Sequence, residues 1–168
     1  FATPEQHMTP PQPYRPWEAC MTHNRHWGFH AGDGQFKTTA EVVDLLLQAA
    51  VGAGNLLLNA GPDGRGNLPP ESEAMLDDLG RWLAVNGEAV YASEPFTFGL
   101  RERGQHRGDH FQHGRFTARG KTLYLNLTSW PGESLCISGL EAEARSARLL
   151  GDDATVRLDQ VGSRLTFS

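Results

Sequence analysis

The stretch EVVDLLLQAAVGAGNLLLNAGPDGRGNLPP, residues 41–70, contains a helix pattern followed directly by a strand pattern. Thr38 and Glu41 have the spacing of a capping box, and the apolar run behind them predicts a largely buried helix over residues 39–51. Two glycines then end that helix. Residues 55–60 are apolar, too few for a helix and bounded by turn residues, which predicts a strand buried on both faces in a parallel sheet covered by helices.

A second helix follows the turn-rich stretch. Pro69 and Pro70 occupy its start, where proline is tolerated, and Asn86 with Gly87 predicts a left-handed stop at its end. Apolar residues recur between them at helical spacing, namely Met75, Leu76, Leu79, Trp82 and Leu83. Helix, buried strand, loop and helix in succession indicate an α/β fold that ends near residue 95.

The C-terminal part of the sequence has a different pattern. Apolar residues alternate over residues 123–127, after a turn at Gly120 and Lys121, and further short strand candidates follow at turn-punctuated spacing. We therefore expect antiparallel β structure over residues 100–168, in a second, incomplete domain. The boundary between the two domains is expected within residues 93–99.

The charge and hydropathy of the chain argue against two classes of partner. A net charge of −5 disfavours nucleic acid, because phosphate contacts need clustered Lys and Arg. No apolar run approaches the roughly 20 residues that span a bilayer, and the N-terminus lacks a signal-peptide pattern, so we expect no membrane partner. The proline-rich start without Met predicts the interior of a longer polypeptide, and the compartment stays open.

Two groups of histidines raise the question of a metal site. They are His23, His26 and His30, and then His106, His110 and His113. Gly28 and the turn formers around it argue against a helix in the first group, and neither group has a Cys or carboxylate that completes a zinc pattern. We expect polar or packing histidines, with no metal and no organic cofactor.

The GPDGRG stretch, residues 61–66, follows a strand as a nucleotide-binding loop would. It lacks the Lys-Ser/Thr ending of a P-loop and the GxGxxG order of a dinucleotide site. It is better explained as a βα loop at the carboxyl end of a parallel strand, where α/β enzymes place their chemistry. Asn59, at the strand's end, either offers its amide to a ligand or ties down its own turn, and the sequence leaves both roles open.

The stretch RPWEACMTHNRHWGFH, residues 15–30, sets Glu18 among aromatic and basic neighbours. We expect Trp17 to desolvate this carboxyl in part, which would raise its pKa toward the range that a proton donor needs near neutral pH. The alternative is a structural carboxylate that pairs with Arg15 or Arg25. Both roles for Glu18 stay open.

Several blocks of the sequence together resemble one enzyme family. They are TPEQ at 3–6, PWEACMT at 16–22, WGF at 27–29, GNLLLNAGPDGRGNLP at 54–69 and LGRWLAVNGEAVYAS at 79–93. In this order, they resemble the α-L-fucosidases, glycoside hydrolase family 29. The tail from residue 96 resembles the C-terminal β-sandwich of those enzymes in position and strand character.

The resemblance implies the closing segments of a (β/α)8 barrel over residues 1–95 and an incomplete antiparallel β-sandwich over residues 96–168. It implies retaining hydrolysis of terminal α-L-fucosyl linkages in a fucosylated glycan or glycoside, in a secreted, periplasmic or lysosomal-type compartment. Glu18 matches the acid/base Glu of the WE pair in several members, whereas others use an acid just ahead of the TPEQ-like stretch, before Phe1. No residue matches the Asp nucleophile, so we expect the chain alone to be inactive.

The aromatic residues leave a second function open. We expect Trp27, with Asn59, to bind substrate, because apolar sugar faces stack on aromatic rings, while Trp17 and Phe29 suit a core equally well. The alternative to an enzyme is a non-catalytic carbohydrate-binding or structural module, in which the β tail and the aromatic loop hold a glycan without cleaving it. The linkage preference and the oligomeric state are open.

Overall fold

The computed structural model describes residues 1–9, 15–96, 101–102, 114–152 and 154–168. The first half contains β1 (Glu18–Thr22), α1 (Thr39–Val51), β2 (Asn55–Asn59), α2 (Pro70–Asn86) and a short 3-10 helix (Gly87–Ala89). The rest contains short strands: β3 (Glu94–Pro95), β4 (Arg101–Glu102), β5 (Gly114–Arg119), β6 (Thr122–Leu127), β7 (Leu135–Ser138), β8 (Ala147–Arg148), β9 (Thr155–Val156), β10 (Leu158–Val161) and β11 (Arg164–Phe167). None of the helices in these ranges is long and apolar enough to cross a membrane.

β1 and β2 lie side by side as a parallel pair, with Glu18 opposite Asn55 and Thr22 opposite Asn59. Residues 2–6 run along the other edge of β1 in the same direction, held by backbone hydrogen bonds of 2.8 to 3.0 Å. The parallel pairing that the sequence predicts for the second of these strands is therefore confirmed.

α1 has the bounds that the sequence predicts, and its capping box forms. Thr38 Oγ1 accepts a hydrogen bond from the Glu41 backbone N–H at 3.3 Å, and the Glu41 carboxylate accepts one from the Thr38 backbone N–H at 2.7 Å. The Thr38 backbone N–H, followed by the Thr38 hydroxyl, lowers the pKa of the Glu41 carboxyl below its ordinary value. These bonds satisfy donors that a helix start leaves without partners.

The indole of Trp17 lies at the centre of the first core. It is buried on the helix side of the sheet together with Ala19 and Met21, because alternate residues of a strand share one face. Trp17 Nε1 donates a hydrogen bond to the Gly52 carbonyl at 2.9 Å. A Cβ on Gly54 would lie 2.1 Å from the indole, so only glycine lets the start of β2 pass this closely.

Two local predictions are wrong. β2 is covered on one face only, because Leu56 and Leu58 pack on the first core whereas Leu57, on the other face, is 49% exposed among the described residues. Gly87 has a φ of −60°, so it is not a left-handed stop. The chain continues there into the 3-10 helix, and the left-handed residue is Ala92, with a φ of 53°.

The antiparallel pairing predicted for the C-terminal part is confirmed in the described strands. β5 and β6 form a hairpin that turns at Gly120 and Lys121, as predicted, with a φ of 59° at the glycine. One sheet has the order β3-β5-β6 and another the order β10-β11-β7-β4. Their shared core contains four buried side chains, those of Phe116, Leu135, Ile137 and Leu165.

β5 joins the antiparallel part to the first half of the chain. Arg115 Nε lies 2.9 Å from the Asp44 carboxylate of α1, and Thr117 Oγ1 donates to the Ala89 carbonyl at 2.6 Å. Antiparallel pairing already includes β3, slightly ahead of the predicted start at residue 96. These contacts join β5 to α1 and to the 3-10 helix.

The packing around Trp17 gives a stability prediction. Gly54→Ala should lower the free energy of unfolding by about 1–3 kcal/mol, because the new methyl group overlaps the indole. Gly64→Ala is the matched control: a Cβ there meets no atom within 4 Å, and the change should stay within about 0.5 kcal/mol. Urea unfolding followed by tryptophan fluorescence measures both, and equal stability of the two variants would contradict this packing.

Candidate active site

The face of the parallel pair opposite Trp17, which we term the open face, carries the polar side chains of these strands. Its members are Glu18, Cys20 and Thr22 of β1 and Asn55, Leu57 and Asn59 of β2. Each strand ends at this face in a polar residue, and the loops 23–38 and 60–69 follow. Because α/β folds bind ligands at the carboxyl ends of parallel strands, the candidate site lies where these two loops begin.

Asn59 holds an unused hydrogen-bond acceptor at this end. Its side-chain Oδ1 is buried and accepts no hydrogen bond from the residues that the structure describes. Its backbone carbonyl accepts from the His23 N–H at 2.8 Å, which fixes the strand end. The following turn is tied down by Asp63, whose carboxylate accepts from the Arg65 and Asn67 N–H groups. Asp63 holds this turn through its carboxylate, and the predicted role of the Asn59 amide in ligand binding stays a prediction.

Glu18 lies at the opposite, amino end of the open face. It is the first residue of β1, which places its Cα about 13 Å along the strand from that of Thr22. Glu18 is partly buried, as expected, but the attribution to Trp17 is wrong, because the indole points to the other face of the sheet. In the described part of the chain, neither Arg15 nor Arg25 forms an ion pair with this carboxylate.

Another carboxylate, Glu5, lies nearer the carboxyl end. It is paired with Cys20 in a parallel bridge, so its side chain shares the open face, and it is exposed to solvent. The neighbouring Gln6 side chain donates to Thr22 Oγ1 at 2.9 Å and ties the segment to the end of β1. From the sequence, Glu5 is an available carboxylate that matches no nucleophile motif, and TPEQ is too short to predict the strand pairing that places it here. Only its pairing with β1 reveals its place.

Asp33 fixes the loop that follows β1. Its carboxylate accepts hydrogen bonds from the Gln35 N–H at 2.9 Å, from the Arg25 N–H at 3.0 Å and from His26 Nδ1 at 2.8 Å. These donors, the Gln35 N–H first, lower the pKa of Asp33 to about 2. The side chain is only 3% exposed, and it joins the two ends of residues 25–35.

The same loop carries aromatic rings that face solvent. His26 and His30 stack with nearly parallel rings, their centroids 4.3 Å apart. Trp27 and Phe29 are 41% and 50% exposed. Trp17 therefore belongs to the core, whereas the Trp27 ring is partly exposed and its role in substrate binding stays a prediction.

This loop is braced against the loop that follows β2. A Cβ on Gly61 would lie 2.5 Å from the carbonyl carbon of Gly28, so the two backbones touch. Gly28 directly follows Trp27, so the contact places the backbone at Trp27 on the carboxyl-end side of the sheet, where Asn59 also lies. The structure thus brings two of the predicted site residues to one side and leaves Glu18 away from both.

His23 is a buried structural residue. Its Nε2 donates to the Lys37 carbonyl at 2.8 Å, and its Nδ1 lies 2.9 Å from Ser72 Oγ at the start of α2. Within the described ranges, no group of three His, Cys, Asp or Glu side chains could hold a metal ion. The second histidine group, His106, His110 and His113, lies outside the described residues.

Comparisons with known sequences find one family. Residues 1–88 match the family model described as Alpha-L-fucosidase. The alpha-L-fucosidase of Branchiostoma floridae is 32% identical over 74% of this chain and 27% of its own length. The tissue alpha-L-fucosidase of Bos taurus is 30% identical over 83% of this chain and 29% of its own length. The chain thus spans less than a third of these relatives.

Solved structures align with nearly the whole chain. Alpha-L-fucosidase isoenzyme 1 from Paenibacillus thiaminolyticus aligns with a TM-score of 0.84 and 30% identity, over 98% of this chain and 40% of that one. A Thermotoga maritima alpha-fucosidase in complex with a mechanism based inhibitor gives 0.81 and 25%, over 99% and 38%. A GH29 alpha-L-fucosidase trapped covalent intermediate from Bacteroides thetaiotaomicron gives 0.80 and 26%, over 99% and 39%.

The hydrogen bonds to Asp33 give a titration prediction. The Asp33 carboxyl should titrate near pH 2 by carbon NMR, so the stabilisation it supplies is complete above the ordinary pKa of 3.8 and is lost as the pH falls through about 2. His26→Phe removes one donor and should raise this pKa. The pKa of Asp63, lowered by its own turn with the Asn67 N–H first, is the control and should not move. An unchanged midpoint for Asp33 in the variant would show that His26 does not hold its carboxylate.

Proposed function

The chain belongs to the α-L-fucosidase family, and we propose that it forms the last part of the catalytic barrel, and the β-sandwich behind it, of an enzyme that hydrolyses terminal α-L-fucosyl linkages. The observation that carries the proposal is the extent of the match, since the Paenibacillus enzyme aligns over 98% of the chain. The substrate is a fucosylated glycan or glycoside. Because the chain spans under a third of its curated relatives, the activity belongs to the full-length protein that contains it.

The open face is assigned to the inner wall of the barrel. Leu57 supports this assignment, because an apolar side chain half exposed at the middle of a strand suits a position that further barrel strands would cover. α1 packs on the opposite face, as the outer helices of a (β/α)8 barrel do. Residues 1–95 then form the barrel part and residues 96–168 the sandwich part, with β3 as the strand that links them.

The proposed reaction proceeds with retention, which the trapped covalent intermediate of the Bacteroides relative supports. A carboxylate attacks the anomeric carbon of fucose while a carboxylic acid, about 5 Å away, protonates the departing glycosidic oxygen. The same acid, now a carboxylate, takes a proton from the water that releases fucose. The nucleophile has no matching motif in this sequence, so we place it on an earlier strand of the full-length protein.

Two residues compete for the role of acid/base. Glu18 is the residue predicted from the WE pair, and its role stays a prediction. Its position at the amino end of β1 weakens the case, because barrel enzymes act at the carboxyl ends of their strands. Glu5 shares the open face, is exposed and is tied by its neighbour Gln6 to the end of β1. We propose Glu5 as the acid/base.

Asn59 and Trp27 are assigned to substrate binding. The buried, unpartnered Oδ1 of Asn59 suits the hydroxyl of a sugar, which can satisfy it by donating a hydrogen bond. Trp27 offers exposed ring surface to an apolar sugar face. The alternative of a non-catalytic β-sandwich module gains no support, because the family model matches residues 1–88, ahead of the antiparallel sheets.

The two acid/base candidates are separable by substitution in the full-length protein. Glu5→Gln should slow cleavage of a fucosyl disaccharide by about 10²–10⁴-fold, because the sugar leaving group needs a proton. The loss on 4-nitrophenyl α-L-fucoside should be much smaller, since nitrophenolate departs with little protonation. Steady-state kcat/KM on both substrates provides the measurement.

Glu18→Gln is the matched control, a carboxylate on the same face at the other end of the strand. It should affect both substrates alike and by less than about tenfold. A loss confined to the disaccharide in Glu18→Gln, with Glu5→Gln close to the unmodified enzyme, would return the role to Glu18.

A further inference from the structure

We propose that His23 is a positioning residue, which holds the two loops of the candidate site, residues 23–38 and 60–69, in a fixed arrangement. The proposal rests on the function proposed above, because the reaction would take place where these loops begin. The imidazole is only 1% exposed, so it acts through its hydrogen bonds and not by contact with substrate.

Both nitrogens of the His23 ring are used. Nε2 lies 2.8 Å from the Lys37 carbonyl oxygen, which can only accept, so this nitrogen carries the proton. A neutral imidazole has a single N–H, which leaves Nδ1 as the acceptor of a hydrogen bond from Ser72 Oγ, 2.9 Å away. The two bonds therefore predict one tautomer and fix the orientation of the ring.

These bonds reach the far ends of both loops. Each loop begins at the end of a strand and ends at the start of a helix. Lys37 directly precedes Thr38, the N-cap of α1, and Ser72 lies in the first turn of α2. The His23 backbone N–H donates to the Asn59 carbonyl at 2.8 Å, where the second loop begins. One residue therefore joins the beginnings of both loops to their ends.

The end of the first loop has further bonds to the end of β1. The Lys37 N–H donates to the His23 carbonyl at 2.8 Å, and Lys37 Nζ donates to the Thr22 carbonyl. The bond from Ser72 connects the same histidine to α2. Loss of the Ser72 bond should therefore loosen the second loop more than loss of the Nε2 bond loosens the first.

Such anchoring affects the reaction because rates are sensitive to small displacements. A shift of about 1 Å in a group that positions substrate can lower a rate by about 10²-fold. The second loop begins at Asn59, so its movement would disturb the amide that we assign to substrate binding. A buried hydroxyl or ring nitrogen that loses its partner favours such movement, since it can regain a partner only by rearrangement.

Substitutions in the full-length protein remove the two bonds separately. At position 23, glutamine retains a donor near the position of Nε2 for the Lys37 carbonyl, and asparagine retains an acceptor near that of Nδ1 for Ser72. His23→Gln, Ser72→Ala and the double variant should lower kcat/KM on 4-nitrophenyl α-L-fucoside by one common factor of about three to ten, because each lacks the same bond. His23→Asn should lose less, since Lys37 keeps its other two bonds.

Ser163→Ala, in the exposed turn between β10 and β11, is the matched control and should leave kcat/KM unchanged. The rates are measured where circular dichroism shows that every variant is folded, because loss of a residue that only stabilises the fold would then leave kcat/KM unchanged. Multiplied losses in the double variant, or full activity in both His23→Gln and Ser72→Ala, would overturn the proposal.

Two further measurements need no activity. Nitrogen NMR of the unmodified protein should show the His23 tautomer with its proton on Nε2, and the other tautomer would contradict the bond to Lys37. Amide hydrogen exchange in residues 60–68 should be faster in Ser72→Ala than in the unmodified protein, and equal exchange would contradict the anchoring of the second loop. If the unmodified protein does not cleave the fucoside, the proposed function fails, whereas these two results still decide whether His23 holds the loops.

Discussion

The packing of the Trp17 indole between the first parallel strand and the glycines after α1 is the constraint on which the site depends. The ring fills the space where a Cβ on Gly54 would lie, and its N–H is satisfied by the Gly52 carbonyl. Because side chains alternate along a strand, burying Trp17 on the helix side sends Glu18 and every second residue after it to the open face. A slip of one residue would exchange the two faces, bury polar groups without partners and expose the indole.

This division of the side chains between the two faces determines which polar groups lie at the carboxyl end of the sheet. It places a buried amide acceptor, Asn59, and an exposed acid, Glu5, on one face, with the acid tied to the strand end through the Gln6 side chain. The loops that follow β1 and β2 touch where Gly61 meets the backbone of Gly28. The first of these loops carries the exposed rings of Trp27 and Phe29. Paired strands and loops that contact each other both suit substrate positioning, because they reduce the conformational entropy that is lost on binding.

Local signals predicted the elements, and long-range contacts decided the site. The capping box of Thr38 and Glu41 gave the start of α1, because its hydrogen bonds lie within a few residues of sequence. The left-handed helix end predicted at Gly87 is wrong. An Asn-Gly pair allows a left-handed residue without requiring one, and the chain continues here as a 3-10 helix. The prediction that Trp17 covers the Glu18 carboxylate is wrong, because the side chains of consecutive residues in a strand point to opposite faces of the sheet. Glu5 was missed because its position depends on pairing with a strand that lies beyond a proline-rich connection.

The central claim is that the carboxyl-end side of the open face, rather than its amino end, meets the fucose. A crystal structure of the full-length protein with a fucose-mimicking iminosugar tests it most directly. We expect the sugar ring within hydrogen-bond distance of Asn59 Oδ1, with the Glu5 carboxylate closer to its anomeric position than that of Glu18. An iminosugar bound beside Glu18, with the Asn59 amide left unpartnered, would contradict it.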